Sequence, residues 1–255
     1  MKISQKTFII TGGASGLGQA TVRYLHQLNA NVVIFDLSLE SGQELVQELG
    51  NERVLFCETD ITNENSVKSA LEKTVEKFKQ IHGVVNCAGI AVSIKTITNR
   101  GVFPLDVFSK VLSVNLIGTF NVIRLTADII NKQQSVDGEK GIFIMTASCA
   151  ATEGQQGQTA YSASKAGIVG MTLPMAREFA PLEMRVMTIS PGIFATPMVE
   201  ALPEKAIKAI ESSIPFPARL GKPAEFAQLV QTIIENPYLN GEVIRLDGGV
   251  RLAKL

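Results

Sequence analysis

The sequence predicts an α/β protein built on a doubly wound parallel sheet of about seven strands, with helices on both faces. Short apolar runs alternate with longer amphipathic segments along the whole chain, and this alternation is typical of parallel strands joined by helical crossovers. No stretch rich in Ser, Gly or Pro divides the 255 residues, a length that suits one large domain. We therefore expect a single domain over residues 1–255.

The apolar runs and the amphipathic segments give the expected order of elements. Strands are predicted at 6–11, 31–36, 53–58, 82–86, 141–147, 185–190 and 242–246. Helices are predicted at 16–28, 39–49, 63–78, within 104–132, and at 161–179 and 225–235, and Pro174 is expected to kink the helix that contains it. Two long connections, 91–103 and 195–220, follow strands at the end where open α/β sheets bind ligands, so we expect 195–220 to be a substrate lid.

Composition excludes several classes of function. Lys and Arg number 24, as do Asp and Glu, so the chain lacks the basic excess that is typical of nucleic-acid binding. Cys57, Cys87 and Cys149 form no CxxC pair, and we expect reduced thiols in a cytoplasmic protein. No apolar run reaches the length expected of a membrane span, and we expect no targeting peptide before the first strand. His26 and His82 belong to no metal-ligand cluster.

A glycine-rich loop, TGGASGLG at 11–18, follows the first predicted strand and opens the first predicted helix. Gly12 would allow the tight turn, Gly16 the approach of a pyrophosphate, and Gly18 the close packing of helix on strand. The helix amino terminus would then offer N–H groups to the phosphates. In this context the loop predicts the dinucleotide site of a Rossmann fold, with Ser15 and Leu17 also in contact; the alternative is a glycine-rich turn without a ligand.

An acidic residue, Asp36, ends the second strand. A carboxylate there can accept hydrogen bonds from ribose hydroxyls and repels a 2′-phosphate, and Ser15 adds no positive charge that could hold one. Both features favour NAD over NADP. The alternative is a solvated turn residue. Asp60, with Ile61 after it, and the segment NCAG at 86–89 follow the next two strands; they could hold adenine and its ribose, or be ordinary turn residues.

Two residues on one predicted helix indicate acid–base chemistry. Tyr161 and Lys165 are four residues apart and therefore lie one turn apart on the same face. A nearby ammonium is expected to lower the tyrosine pKa from about 10 towards a useful value. Ser148 ends the fifth strand and could hold the substrate oxygen, and Asn115 within the preceding helix could bind water or bend that helix. Each residue alone could equally be a surface or capping residue.

These motifs, taken together and in this order, resemble those of the short-chain dehydrogenase/reductase family over essentially the whole chain. The residues that carry the resemblance are TGGASGLG at 11–18, Asp60, NCAG at 86–89, Asn115, Ser148, YSASK at 161–165 and PGIFATPM at 191–198. The resemblance implies an NAD-dependent oxidoreductase with the catalytic set Asn115, Ser148, Tyr161 and Lys165. It also implies cofactor contacts from Gly12, Ser15, Gly16, Leu17, Gly18, Asp36, Asp60, Ile61, Asn86, Cys87, Ala88, Gly89, Tyr161, Lys165, Pro191, Gly192, Ile193 and Thr196.

The resemblance further implies a role for each residue. Tyr161 would be the acid–base, Ser148 would orient the substrate, and Lys165 would lower the tyrosine pKa and bind the nicotinamide ribose. Asn115 would hold a water that relays protons to Lys165, and Ile193 and Thr196 would contact the nicotinamide carboxamide. The family's NNAG motif has Cys87 in place of its second Asn here, a change that we expect to be harmless in a backbone-lined turn.

Several longer segments, among them GTFNVIRL and ENPYLNGEVIRLDG, resemble the type 2 3-hydroxyacyl-CoA dehydrogenases within that family. This resemblance implies a homotetramer that oxidises 3-hydroxyacyl-CoA with NAD, with some breadth towards branched acyl groups and steroids. Lys95, Arg100, Lys205 and Lys208 could meet the CoA phosphates, or could be solvated surface residues. A dehydrogenase of free alcohols or steroids, a 3-oxoacyl carrier-protein reductase (which Asp36 opposes), and an NAD-binding scaffold or sensor remain alternatives.

Overall fold

The computed structural model describes residues 1–99, 101–135, 138–200 and 204–252. Its main sheet has seven parallel strands, namely β1 (Thr7–Thr11), β2 (Asn31–Asp36), β3 (Val54–Glu58), β4 (Gly83–Asn86), β5 (Gly141–Thr146), β6 (Met184–Pro191) and β7 (Val243–Leu246). They lie in the order β3-β2-β1-β4-β5-β6-β7. The order reverses between β1 and β4, so the predicted doubly wound sheet is confirmed, and a ligand crevice is expected at that point.

Helices cover both faces of the sheet. They are α1 (Gly16–Gln27), α2 (Leu39–Leu49), α3 (Glu64–Phe78), α4 (Leu105–Leu112), α5 (Thr119–Asn131), α6 (Ala150–Glu153), α7 (Thr159–Phe179), α8 (Pro197–Glu200), α9 (Glu204–Ser212) and α10 (Pro223–Glu235). All five residues of β1 are buried, because a parallel strand covered on both faces has no solvent side.

Alternate residues of a strand supply the two main cores. Ile9 packs on one face with residues of α3, α5 and α7. Its neighbours Phe8 and Ile10 pack on the other face with residues of α1, α2 and α10. This division follows from the two-residue period of a β-strand. A third and smaller group, the lid cluster, consists of Ile214, Leu220 and Val250, against which half-buried apolar residues of the 193–210 region pack.

Three segments differ from the prediction. The predicted long helix within 104–132 is continuous, but a π-helical turn at Ser113–Gly118 separates α4 from α5. The expected loop 91–103 contains a hairpin of Ile97–Thr98 with Gly101–Val102, and the expected lid 195–220 contains α8 and α9. Helix α7 continues through Pro174, and the kink expected at that residue stays a prediction.

The continuous helix from Leu105 to Asn131 is long and apolar enough, by length and composition, to cross a membrane. The expectation that no apolar run reaches that length was therefore wrong. In the structure this helix packs against α3 and α7 and contributes buried residues such as Val122 and Ile123 to the first core. It therefore occupies the position of a core helix.

Candidate active site

A cavity of about 880 Å³ lies at the carboxyl ends of the strands. All but one of the residues predicted to bind the cofactor line it, the exception being Asn86. Three of the four predicted catalytic residues line it as well, the exception being Asn115. The sheet therefore brings together residues that lie up to 240 positions apart in the sequence, as Gly12 and Leu252 do.

The glycine-rich loop forms the floor of the cavity at the start of α1. A Cβ on Gly12 would lie 2.8 Å from the Ala88 backbone, and one on Gly18 would lie 2.1 Å from the Gly12 carbonyl oxygen. Gly12 also has a φ of +63°, which side chains rarely adopt. The Ser15 side chain does not cap α1, so the first-turn N–H groups remain available, an arrangement that fits a pyrophosphate.

The carboxylate of Asp36 is held in place at the cavity wall. Its Oδ2 accepts a hydrogen bond from the backbone N–H of Ala14 at 3.0 Å, and its Oδ1 accepts one from the N–H of Ser38 at 3.0 Å. Each oxygen keeps a lone pair for a hydroxyl donor. The backbone therefore fixes a negative charge where the adenosine ribose of a dinucleotide would lie.

The segment after β4 lines the cavity on the other side of β1 from this carboxylate. The backbone N–H of Ala88 donates to Thr11 Oγ1 at 3.1 Å, and the Thr146 hydroxyl donates to Cys87 Sγ at 3.8 Å. Asn86 is buried below the floor, where its amide donates to the Ile144 carbonyl at 3.4 Å. The geometry therefore does not support the direct cofactor contact expected of Asn86, because its side chain points into the sheet.

Tyr161, Lys165 and Ser148 meet above the floor. The hydroxyl group of Ser148 lies close enough to that of Tyr161 to influence the Tyr161 pKa. The Lys165 Nζ donates to the Thr146 carbonyl oxygen at 2.8 Å and lies 5.7 Å from the centre of the Tyr161 ring. The N–H of Ala150 donates to Ser148 Oγ at 3.1 Å. A phenol, a second hydroxyl group and an ammonium are thus assembled in one pocket.

Burial governs the ionisation of this group. It lowers the pKa of Lys165 to about 8, because the charged form loses its water. Burial also raises the pKa of Tyr161, and the nearby Ser148 hydroxyl opposes that rise only in part. The expected lowering of the tyrosine pKa by Lys165 was therefore wrong for the protein without cofactor. A positive nicotinamide ring next to the phenol would shift its pKa downward.

Asn115 lies in the π-helical turn, outside the cavity but directly behind it. Its Nδ2 donates to the Ile90 carbonyl at 2.9 Å and to Ser164 Oγ at 3.0 Å, and its Oδ1 accepts from the Ile90 N–H at 2.8 Å. A Cβ on Gly89 would lie 3.2 Å from Asn115 Oδ1 and 3.6 Å from Lys165 Nζ. Asn115 thus ties the loop after β4 to α7, and the relay water assigned to it stays a prediction.

Three of the four basic residues that were candidates for CoA contact are not part of the cavity lining. Lys95, Lys205 and Lys208 are not among the residues that line it, and Lys208 pairs with Glu204 at 2.7 Å. Arg100 lies outside the described residues. Among the described residues, no group of His, Cys, Asp and Glu side chains is arranged to hold a metal ion.

Several lining residues escaped the sequence analysis. They include Leu37, Ile90, Val114, Gln155, Gln158, Val199 and Leu252. Gln155 and Gln158 lie in the connection between α6 and α7. Their position between Ser148 and Tyr161 in the sequence could have indicated that they lie near the site. Leu252 lies 87 positions beyond Lys165 in the chain, and nothing in the local sequence indicates that it returns to the site.

Comparison with known proteins agrees with this geometry. The family model described as short chain dehydrogenase matches residues 6–207. The chain is 53% identical over 247 residues to the 3-hydroxyacyl-CoA dehydrogenase type-2 of Homo sapiens, with 96% of this chain and 94% of the human protein covered.

Two solved structures are also similar. A 3-hydroxyacyl-CoA dehydrogenase type-2 from Mycobacterium avium superposes with a TM-score of 0.94 at 41% identity, with 98% of each chain covered. A 3-ketoacyl-(acyl-carrier-protein) reductase from Brucella melitensis, complexed with NADH, gives a TM-score of 0.86 at 25% identity, with 98% of this chain and 100% of the other covered. The chain therefore belongs to the short chain dehydrogenase family, whose members are oxidoreductases that use NAD or NADP.

Proposed function

We propose that the protein oxidises 3-hydroxyacyl-CoA to 3-ketoacyl-CoA with NAD, and catalyses the reverse reduction. The observation that carries the reaction type is that Tyr161, Ser148 and Lys165 line one cavity together with a dinucleotide loop. The substrate class is supported by the names of the relatives, which are 3-hydroxyacyl-CoA dehydrogenases over nearly the full length of the chain.

The residues divide the chemistry between them. Bound NAD would accept the hydride from the substrate carbon that carries the hydroxyl. Ser148 would donate a hydrogen bond to the substrate oxygen, and Tyr161 would take the hydroxyl proton as the carbonyl forms. With NAD bound, the ammonium of Lys165 would help to stabilise the phenolate. In reduction the same residues act in reverse, with the Tyr161 phenol as the proton donor.

We infer NAD rather than NADP from the position of Asp36. Its carboxylate is held by two backbone N–H groups at the cavity wall, so it cannot easily turn away from a 2′-phosphate. A negative charge fixed there opposes a second negative group and favours free ribose hydroxyls. The similar reductase that was solved with NADH supports the same choice.

We also propose that residues 1–255 act as one catalytic domain in a cytoplasmic homotetramer. Large apolar side chains are exposed along α4, the π-helical turn, α5 and α7, namely Leu105, Ile117, Phe120 and Leu173. A row of such residues supports burial against another copy of the chain. The three free cysteines support a reducing compartment. Light scattering of the purified protein would test the assembly.

The test of the function is the loss of NADH absorbance with acetoacetyl-CoA, with NADPH run in parallel. We expect consumption of NADH, little consumption of NADPH, and no turnover by a Tyr161→Phe variant that still binds NADH. The variant keeps the ring and loses the hydroxyl group that carries the exchangeable proton. A parent protein that binds NADH but reduces no thioester, ketone or steroid would favour a scaffold or sensor instead.

A further inference from the structure

The C-terminal segment after β7 closes one side of the cavity. Leu252 lines the cavity together with Ile193 and Val199, and it packs on the lid cluster. Val250, two residues earlier, is completely buried in that cluster. The segment is therefore part of the packing beneath the lid, and the side chain of Leu252 forms part of the cavity wall.

An ion-pair network fixes this segment to the helix that follows Ser148. Glu153, the last residue of α6, accepts a hydrogen bond from the backbone N–H of Leu252 at 3.1 Å and another from Arg245 Nη1 at 2.8 Å. Arg245 also donates through Nε to Asp247 at 2.8 Å and through Nη2 to the Val250 carbonyl at 3.1 Å.

Partial burial gives this network its rigidity. The side chains of Glu153 and Asp247 are only 20% and 8% exposed. Charge-assisted bonds between guanidinium and carboxylate groups are strong and geometrically specific when water is mostly excluded. Arg251 adds a weaker contact to Glu153 at 3.5 Å. One carboxylate thus joins β7, the C-terminal segment and α6.

The sheet order places Leu252 on the substrate side of the cavity. Asp36, at the cofactor end, is the last residue of β2, whereas Ser148 follows β5 and Leu252 follows β7, the strand at one edge of the sheet. The residue that holds Leu252 is Glu153, five positions beyond Ser148 on the helix that leads away from the reacting hydroxyls. Leu252 therefore lies on the β7 side of the cavity, away from Asp36, where we expect the alkyl part of a substrate to extend.

We propose that Leu252 determines specificity by limiting the length of the alkyl group beside the reacting carbon, and that Glu153 and Arg245 are positioning residues that hold it. The inference rests on the proposed function for the identity of that group as an acyl chain. The limit that Leu252 sets on alkyl length applies to any ketone substrate with an alkyl tail, whether or not it is a CoA thioester.

The test compares two series of substrates in Leu252→Ala, Leu252→Trp and the parent. One series is acetoacetyl-CoA, 3-ketohexanoyl-CoA and 3-ketooctanoyl-CoA, and the other is the matching ethyl 3-ketoesters. We expect Leu252→Ala to raise kcat/KM for the eight-carbon substrate relative to the four-carbon one about tenfold, and Leu252→Trp to lower it, because a few methylenes in a pocket change selectivity by that order. Leu182→Ala, a half-buried residue outside the cavity, is the control and should leave the ratio unchanged.

The positioning role predicts a second change. Glu153→Gln should shift the chain-length ratio in the same direction as Leu252→Ala but by less, while Glu64→Gln, which disrupts a surface ion pair with Arg124, should not. Equal ratios in all variants overturn the inference. Turnover of ketoesters alone, with the ratio shifted, overturns only the acyl-CoA function. Turnover of neither series overturns both, because the wall then has no alkyl group to exclude.

Discussion

At the scale of single residues, the chemistry depends on a lysine that the fold has almost removed from water. Lys165 is 5% exposed, and among the described residues its hydrogen bond goes to the carbonyl of Thr146, which is neutral. A buried ammonium without a carboxylate partner holds its proton less tightly. The charge of Lys165, which lies 5.7 Å from the centre of the Tyr161 ring, is therefore sensitive to pH not far above neutrality.

This sensitivity predicts the pH dependence of the reduction. The pKa of Lys165 is about 8, so the ammonium is present below that pH and lost above it, while the raised pKa of Tyr161 keeps the phenol protonated. We expect kcat/KM for acetoacetyl-CoA, measured with saturating NADH, to be flat below pH 8 and to fall about tenfold per pH unit above it. A profile that is flat from pH 7 to pH 10 would contradict this role for Lys165.

The charge at Asp36 predicts cofactor preference. Asp36→Asn keeps the shape of the side chain and one oxygen acceptor for the backbone but removes the negative charge. We expect the ratio of kcat/KM with NADPH to that with NADH to rise about tenfold, which corresponds to about 1.4 kcal/mol of lost repulsion. Asp128→Asn, an exposed residue paired with Lys132, is the control. An unchanged ratio in Asp36→Asn would place the discrimination elsewhere.

At the scale of elements, the turn between β1 and α1 leaves no room for a side chain at Gly18. A Cβ there would lie 2.1 Å from the Gly12 carbonyl, so Gly18→Ala has to move the loop. We expect a loss of about 2 kcal/mol of unfolding free energy and at least tenfold weaker NADH binding by fluorescence titration. Gly170→Ala, where no atom lies within 4 Å of the added carbon, should keep its NADH affinity. Equal affinities in the two variants would contradict this account.

The elements also show which parts of the fold and the site could be predicted from the sequence. The strands, the glycine loop and the Tyr161–Lys165 helix could be predicted because each follows a short-range pattern of apolar spacing, glycine position or helical repeat. The π-helical turn at Ser113–Gly118 could not, because an extra residue in a helix changes no local propensity. The rise of the Tyr161 pKa depends on burial, and the position of Leu252 in the cavity wall depends on how a segment distant in sequence folds back. Local sequence patterns contain neither kind of information.

At the scale of the whole molecule, the amino ends of the strands carry a different kind of buried group. His82 precedes β4, is 7% exposed, and accepts a hydrogen bond from the Thr7 N–H at its Nδ1. This bond needs the neutral imidazole. Burial, with a smaller effect of Lys6, lowers the pKa of His82 to about 4. The residue therefore contributes to the stability of the sheet at the end away from the site.

His82 predicts a loss of stability in mild acid. The unfolded chain takes up a proton near pH 6.5, whereas the folded chain does so only near pH 4, so the free energy of unfolding falls as the pH drops through this window. At pH 5 the loss is about 2 kcal/mol. Urea unfolding at pH 7 and pH 5 would measure it, and in His82→Asn, which keeps an acceptor for Thr7, the loss should shrink by that amount. An identical pH dependence in the variant would exclude His82 as the cause.

The π-helical turn sets a phase between the two halves of one long helix. An α-helix rotates about 100° with each residue, and the widened turn accommodates one residue more than α-helical geometry would. Asn115 can therefore face Ile90 and Ser164 while Ile123 and Ile130 of α5 still face the sheet. Deletion of a single residue from 113–118 would turn one of these two sets away from its partners. For this stretch the number of residues is under tighter constraint than their identity, so variants that change its length should be rarer than variants that change its composition.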